Sequence, residues 1–136
     1  MPAPKELLRI LDANFNRAKE GLRVCEDICR FVWDDKELSA QYKKIRHQLL
    51  EAIKPVGILN VISARDILND VGRATTKSEA FRKDLTGVFW ANGQRVKESL
   101  RVLEEVTKLM STKSSWKIKK LRYQVYAIEQ KAASKS

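Results

Sequence analysis

Residues 13–27 read ANFNRAKEGLRVCED, and residues 91–105 read ANGQRVKESLRVLEE. At a constant offset of 78, nine of these fifteen paired positions are identical, which indicates a duplication. The sequence after each copy also recurs, as KKIRHQL at 43–49 and KKLRYQV at 119–125, at an offset of 76. Each half is therefore predicted to be a long helix, a connection and a second helix, and two such hairpins can cover each other's apolar faces.

The apolar pattern predicts helices along most of the chain. In the first copy, apolar residues recur at steps of four and three, the spacing of one buried helix face: Leu11, Phe15, Ala18, Leu22, Cys25, Cys29 and Val32. Further helices are predicted from Glu37 to Ile53 and from about Ser114. Between the halves, residues 58–64 are predicted to form a buried connector, residues 63–69 a short helix, and residues 76–79 a capping box that begins the next helix. We predict one all-α domain, a helical bundle of two duplicated hairpins (about 6–55 and 79–132) with a short-helix and loop insert (about 56–78).

Length and composition restrict the class of protein. The 136 residues are one domain's worth, and 43% of them are hydrophobic and 32% charged. No apolar run approaches the roughly 20 residues of a membrane span, and the N-terminus has no apolar signal-peptide core, so we expect a cytoplasmic protein without a membrane partner. Cys25 and Cys29 lie four residues apart, which suits free buried thiols better than a metal site.

The net charge of +10 is unevenly distributed, because residues 111–136 carry seven basic side chains and one acidic side chain. Basic surface attracts phosphates, whether of a nucleotide, a sugar phosphate or a nucleic acid. A lysine-rich helix face is also often simply solvated. The aromatic residues of this segment, Trp116, Tyr123 and Tyr126, are expected to be able to pack into the hydrophobic core.

Three polar residues recur with the helix repeat, namely Asn14/Asn92, Arg17/Arg95 and Glu20/Glu98. At 100° per residue they form a polar border along the buried stripe of each helix. They are explained either as helix-surface ion pairs with a register-setting asparagine, or as a ligand site. The small residues Gly21 and Ser99 beside this border predict the close approach of another backbone or of a ligand.

The insert is a second candidate for ligand binding. It carries Arg65, Asp66, Asp70, Gly72 and Arg73, followed by two threonines and a lysine. Carboxylates suit Mg²⁺ and arginine forks suit phosphoryl oxygens, so this composition is typical of phosphate handling; a charged surface loop is the other explanation. The chain contains no GxxxxGK[ST] motif, and its one histidine, His47, excludes a histidine-based metal cluster.

Several motifs in order carry a family resemblance: Asp12 to Asp27, Arg46-His47, Ala64-Arg65, Asp70-Val71-Gly72 and Ala91 to Glu105. Together they resemble the small helical hydroxymethylpyrimidine-phosphate kinase that occurs alone or fused to the N-terminus of thiamine-phosphate synthase. The resemblance covers nearly the whole chain. Because no synthase domain follows, we expect the standalone form, with the synthase as a functional partner.

The resemblance implies transfer of the γ-phosphoryl group of ATP to 4-amino-5-hydroxymethyl-2-methylpyrimidine phosphate, with Mg²⁺. Its site residues are then expected to be Arg17, Arg95 and Asp70 for catalysis and Glu20, Glu98 and Asp70 as candidate metal ligands. The expected substrate-binding residues are Asn14, Arg46, His47, Arg65, Gly72, Arg73 and Asn92. Arg46 and His47 are expected to line the same site as the repeated polar residues if the second helix packs against the first. The second copy differs at Ser99 and Tyr123, so one half is expected to bind the pyrimidine and the other ATP.

Two other classes of function stay open at this point. A basic helical module that binds RNA or an acidic protein is the alternative, although a nucleic-acid partner is not favoured because few aromatic residues alternate with the lysines. The third class is a purely structural adapter, in which the duplicated Asn-Arg-Glu border would have no evident use. A homodimer is one expectation, because a small bundle often buries a leftover face.

Overall fold

The computed structural model describes residues 3–74 and 81–135, and in these ranges every regular element is helical. Four long helices build the bundle: α1 (Lys5–Asp27), α2 (Lys36–Ile53), α4 (Leu85–Thr107) and α5 (Thr112–Ala132). A short helix, α3 (Ile58–Ser63), lies between α2 and α4 in the sequence. The prediction of an all-α fold is therefore confirmed.

The four long helices pack in a ring, in which α1 contacts α4, α4 contacts α5, α5 contacts α2, and α2 contacts α1. Neighbouring helices run antiparallel: Gly21 lies against Asn92 and Val96, while Cys25, further along α1, lies against Phe89, earlier in α4. The ring encloses an apolar core that includes Leu11, Leu22, Tyr42, Phe89, Leu100, Ile118 and Val125, each at most 1% exposed. This burial is the main favourable term for the bundle.

Equivalent residues of the two hairpins make equivalent contacts. Arg46 of α2 donates from Nε to Glu26 of α1 at 3.0 Å, and Arg122 of α5 donates from Nε to Glu104 of α4 at 3.0 Å. These two ion pairs, one in each hairpin, are called the clamps below. Their carboxylates are about 5% exposed, so each clamp joins its two helices from inside the bundle.

The starts of the second helices are equivalent as well. Asp35 caps α2 by accepting from the Leu38 backbone N–H, and Ser111 caps α5 by accepting from the Ser114 backbone N–H. Each cap satisfies a helix-end donor that has no partner within the helix. Both pairs of residues are 76 apart, as the sequence offset requires.

The change of offset from 78 to 76 is located in the connections. After α1, the chain forms a π turn (Ile28–Val32), in which the Trp33 N–H donates to the Ile28 carbonyl oxygen at 3.1 Å. Asp34 then adopts a left-handed conformation with a φ of 49°. The second hairpin makes the same change of direction with two residues fewer.

Three predictions about local structure are wrong. Val32 is 42% exposed and not part of the core, because the wider π turn rotates it away from the buried face. The short helix occupies Ile58–Ser63, where a connector was expected, and residues 66–72 form turns. Trp116, Tyr123 and Tyr126 are 75%, 57% and 43% exposed, so these residues of the last helix lie outside the core.

Other local predictions agree with the structure or cannot be compared with it. The second helix has the predicted extent to within one residue, and both cysteines are free and buried. The capping box at residues 76–79 lies outside the described residues; α4 begins at Leu85, where the Asp84 side chain accepts from the Gly87 N–H. None of the helices described is both long enough and apolar enough to cross a membrane.

Candidate functional site

A pocket of about 520 Å³ lies between the N-terminal half of α1 and the segment that follows α3. We call it the Asn14 pocket. It brings together four residues that the sequence pointed to, namely Asn14, Arg17, Arg65 and Asp70. Its other lining residues are Glu6, Arg9, Ile10, Asp12, Ala13, Asp66 and Ile67. The pocket therefore joins the first copy of the repeated border to the insert.

The pocket holds charged groups of both signs. Three arginines, Arg9, Arg17 and Arg65, face four carboxylates. Among the described residues, neither Arg9 nor Arg17 forms an ion pair, whereas each clamp arginine is paired with a buried glutamate. Unpaired guanidinium groups in a concave site are ready to bind an anion, and phosphate is the anion that matches their fork geometry.

Arg65 and Asp12 form the closest ion pair in the pocket. Arg65 donates from Nε to Oδ2 of Asp12 and from Nη2 to Oδ1, both at 2.7 Å. Asp12 is 6% exposed and also accepts from the Asn16 side chain at 3.1 Å. The hydrogen bond and the charge of Asp12 raise the pKa of Arg65, and the charge of Glu20 contributes less in the same direction.

The two repeated asparagines have the same local structure. Asn14 donates from Nδ2 to the Ile10 carbonyl oxygen at 2.9 Å, and Asn92 donates to the Val88 carbonyl oxygen at 2.8 Å. Each amide is thereby held against its own helix, with its nitrogen used on the backbone. Asn14 lies in the pocket, whereas Asn92 lies where α4 passes closest to Gly21.

At Gly21 the two backbones come close together, as the small residue predicted. A Cβ added there would lie 2.7 Å from Cγ2 of Val96 and 3.0 Å from the Asn92 carbonyl oxygen. Backbone packing between α1 and α4 accounts for the glycine.

The duplication predicts that Arg17 and Arg95 lie on the same face of the α1–α4 pair. The matching contacts of the hairpins relate them by an approximate two-fold axis, which for two antiparallel helices must be perpendicular to both. Such an axis carries one face of α1 onto the same face of α4. Because Gly21 opposes Asn92 and Val96 and the helices are antiparallel, Arg17 and Arg95 lie within about one helical turn, roughly 5 Å, of each other along the helices. Both side chains are exposed, although Arg95 does not line the pocket.

The insert residues after α3 form a tight turn at the edge of the pocket. Asp70 accepts from the Gly72 N–H through Oδ1 at 2.9 Å, and its carbonyl oxygen accepts from the Arg73 N–H at 3.4 Å. Asp70, Gly72 and Arg73 are all exposed. The turn therefore presents the Asp70 carboxylate to the pocket while using one of its oxygens internally.

The expected metal ligands are not gathered in one place. Asp70 lines the Asn14 pocket and Glu20 does not, and Glu98 lies in a separate depression with Lys97 and Arg101. Across residues 3–74 and 81–135, no cluster of three or more His, Cys, Asp or Glu side chains is arranged to hold a metal ion. Any metal at the pocket would depend on its ligand for much of its coordination.

Arg46 and His47 do not reach the Asn14 pocket. Arg46 is held in its clamp with a side chain 18% exposed, and His47 is exposed on the outer face of α2 beside Lys43 and Lys44. Helix packing explains the separation, since α2 turns its inner edge toward Glu26. The expectation that both residues line the same mouth as Arg17 is therefore not met.

Sequence reasoning missed Asp12 and Arg9 as pocket residues. Asp12 is in the motif that carries the resemblance, but it lies just outside the repeated segment, and its equivalent in the second copy is Trp90. The pairing of Asp12 with Arg65 spans 53 residues, a separation at which helical periodicity gives no signal.

Comparison with known proteins gives a consistent result over almost the whole chain. The ThiD2 family model matches residues 9–131. A thiamine-phosphate synthase from Synechocystis sp. (strain ATCC 27184 / PCC 6803 / Kazusa) is 44% identical over 128 residues, which are 93% of this chain and 36% of the relative. The thiamine-phosphate synthase of Thermosynechococcus vestitus is 44% identical over 131 residues, 93% of this chain and 35% of the relative.

A third thiamine-phosphate synthase, from Rhodopirellula baltica, is 41% identical over 124 residues, 90% of this chain and 33% of the relative. The chain thus spans about a third of the length of these relatives. No solved structure matches it. On the extent of the family match, the chain belongs to the ThiD2 family.

Proposed function

We propose that this chain is an enzyme of thiamine biosynthesis that phosphorylates 4-amino-5-hydroxymethyl-2-methylpyrimidine phosphate to the diphosphate with ATP. The relatives' name, thiamine-phosphate synthase, supports the pathway. The kinase reaction is supported by the Asn14 pocket, in which the unpaired Arg9 and Arg17 stand beside Arg65 and several carboxylates. This gathering of guanidinium groups is the observation that carries the proposal.

The charge balance of the pocket suits a phosphate that arrives with a metal ion. Its four carboxylates and three guanidinium groups give a formal charge of −1, so a phosphate anion alone gains little from the overall field. Mg²⁺ is usually bound by one or two carboxylates together with substrate phosphates, and it keeps several waters. Asp70 and Asp66, which both line the pocket, offer such oxygens, and Glu20 of the repeated border is a further candidate ligand.

The reaction depends more on positioning the two substrates than on a strong general base. The acceptor is a phosphate oxygen, which is already anionic near neutral pH, so no alcohol has to be deprotonated. Catalysis then consists of aligning two phosphates and neutralising charge on the transferred group. In this scheme Arg17 and Arg65 bind phosphate oxygens and Asn14 orients the pyrimidine. Asp70 and Asp66 would hold Mg²⁺, which when bound would neutralise phosphoryl charge.

The second copy supplies the other part of the site in this proposal. Arg95 and Asn92 lie on α4, and in this proposal they bind ATP. Arg73 follows the Asp70 turn and is exposed at the edge of the pocket. Glu98, in its separate depression, is the least favoured of the metal ligands.

A direct assay tests the proposal. The purified chain with Mg²⁺ and ATP should form ADP with the pyrimidine monophosphate and not with the free alcohol, whose missing phosphate leaves the arginines unsatisfied. Arg17→Ala, Arg95→Ala and Asp70→Ala should each abolish diphosphate formation with the melting temperature changed by only a few degrees. Arg23→Ala is the matched control, because Arg23 lies on α1 but is exposed and ion-paired with Asp27. Equal activity of all four variants would refute these roles.

The alternative function, a basic module that binds RNA, is favoured by one observation. Trp116 and Tyr123 are exposed on α5 and alternate with Lys119 and Lys120 around a shallow groove. Exposed aromatic rings among lysines suit the stacking of single-stranded bases. This reading requires affinity for RNA that falls steeply with salt, whereas the kinase requires ADP formation that depends on the pyrimidine phosphate.

A further inference from the structure

The Asn14 pocket contains one arginine whose orientation is fixed by a buried carboxylate. Arg65 uses its Nε–Nη2 edge on Asp12, with both hydrogen bonds at 2.7 Å. A guanidinium group has a second edge, formed by Nη1 and Nη2, that can bind another planar or tetrahedral anion. Within the described residues, no side chain or carbonyl oxygen accepts a hydrogen bond from that second edge.

The surroundings differ for the two partners of this pair. Asp12 is 6% exposed, whereas the Arg65 side chain is 40% exposed and lines the pocket. Asn16 donates a further hydrogen bond to Asp12, so the carboxylate is itself held in place. The geometry is that of a fixed carboxylate on the inside, a guanidinium group in the wall and an open edge toward the pocket.

We propose that Asp12 is a positioning residue, which aims the free edge of Arg65 at the phosphate of the pyrimidine substrate. This inference rests on the proposed function and makes it more specific, because it assigns the substrate phosphate to the first half of the chain. Holding the guanidinium group in its binding orientation before the ligand arrives reduces the entropy lost on binding.

The second half lacks this device. The residue equivalent to Asp12 is Trp90, which has no carboxylate to hold a guanidinium group. Beside Arg95 and Asn92, this position therefore cannot orient an arginine. The pyrimidine phosphate accordingly binds at the Asn14 pocket, and the two halves of the molecule are not interchangeable.

A substitution at Asp12 separates orientation from charge. Asp12→Asn keeps the size of the side chain but removes one negative charge from the pocket. If Asp12 acted only through its charge, the change would make the pocket more positive and tighten phosphate binding. If it aims Arg65, the pyrimidine monophosphate should bind about tenfold more weakly or worse, as when outer partners of a binding group are removed. KM should rise by at least that factor.

Two further variants keep the test independent of folding. Arg65→Lys retains the positive charge but cannot hold Asp12 and a phosphate through two edges, so it should lose affinity like Asp12→Asn. Asp35→Asn makes the same change of charge at the start of α2, on the opposite end of α1 from the pocket, and asparagine is an equally good helix cap. It should leave binding unchanged. Melting temperatures and circular dichroism would verify that each variant is folded.

Calorimetric titration with Mg²⁺ and either the pyrimidine monophosphate or inorganic pyrophosphate would measure the affinities, beside the ADP assay. Weaker binding of both probes in Asp12→Asn and Arg65→Lys, but not in Asp35→Asn, supports the proposal. Unchanged or tighter binding in Asp12→Asn overturns it and leaves the proposed function standing. If neither the unchanged protein nor any variant forms ADP, but pyrophosphate binding still depends on Asp12, the proposed function fails and the positioning role holds.

Discussion

The contact between Gly21 and Val96 allows a quantitative test of how α1 and α4 are packed. An alanine at Gly21 would place its Cβ 2.7 Å from Cγ2 of Val96 and 3.0 Å from the Asn92 carbonyl oxygen. Overpacking of this kind costs about 1–3 kcal/mol. The better helix propensity of alanine offsets about 1 kcal/mol. We therefore expect Gly21→Ala to lower the free energy of unfolding by up to about 2 kcal/mol.

The effect should reverse when Val96 is shortened. Val96 is fully buried, so Val96→Ala removes two methyl groups worth about 0.8 kcal/mol each and leaves a small cavity, for a loss of about 2 kcal/mol. In that background the new methyl group of alanine at position 21 occupies vacated space, and only its 3.0 Å contact with the Asn92 carbonyl oxygen still opposes the gain in helix propensity. Gly21→Ala should therefore raise the free energy of unfolding by up to about 1 kcal/mol. The residues equivalent to Gly21 and Val96 are Ser99 and the smaller Ala18, which is a combination of this kind.

The assay is urea unfolding followed by circular dichroism at the helical band, for the four proteins of the double-mutant cycle. We expect a coupling energy of about 1–3 kcal/mol between the two sites. A cycle that is additive to within about 0.5 kcal/mol would show that the two helices do not meet at Gly21 as described.

Three more predictions concern the clamps, the thiols and the cap of α5. Glu26→Gln and Glu104→Gln should each destabilise the protein by about 3 kcal/mol in urea unfolding, because each leaves a mostly buried arginine without its carboxylate; two very different losses would contradict the equivalence of the clamps. Burial, with the Asp35 charge, raises the pKa of Cys29 to about 12, and burial also raises that of Cys25. The thiols' contribution to stability is therefore complete below the unfolded-state pKa of about 8.5 and is lost as the pH rises toward 12; a urea midpoint that stays constant from pH 8 to 11 would contradict this. Ser111→Ala should cost about 1 kcal/mol and Ser111→Asp almost nothing, with melting temperature as the measurement.

Most of the fold could be predicted because the signals were local or repeated. The steps of four and three in α1 and the stop after Ile53 follow from helix geometry and from the poor helix propensity of Pro55 and Gly57. The π turn could not be predicted in this way, because an i→i+5 turn looks like ordinary helix in sequence. The π turn is the reason why Val32 lies outside the core.

The exposure of the last helix was mispredicted for a related reason. Trp116 and Tyr123 are large apolar residues, for which burial is the usual outcome, and nothing in their spacing distinguishes a core face from a partner-binding face. In contrast, the clamps were within reach of sequence reasoning. Glu26/Glu104 and Arg46/Arg122 are identical in both copies and charged, so a shared structural contact could have been inferred for them instead of a ligand role for Arg46.

The site was predicted only where its residues belong to a pattern. Asn14 and Arg17 recur with the duplication, and Arg65 and Asp70 form part of a charged segment. Asp12 has neither property, and its role depends on how α3 folds back on α1, which is a tertiary contact over 53 residues.

The clamps also bear on how the chain tolerates changes of length. The two hairpin connections differ by two residues, yet the clamp distances are the same 3.0 Å on both sides. The vertical register of each hairpin is therefore set by a carboxylate and a guanidinium group inside the bundle, and the connection only has to span the gap. Over evolutionary time, the π turn and Asp34 mark a place where residues can be gained or lost without moving the Asn14 pocket. A change at Glu26 or Arg46 would instead shift α1 against α2, and α1 forms one wall of the pocket.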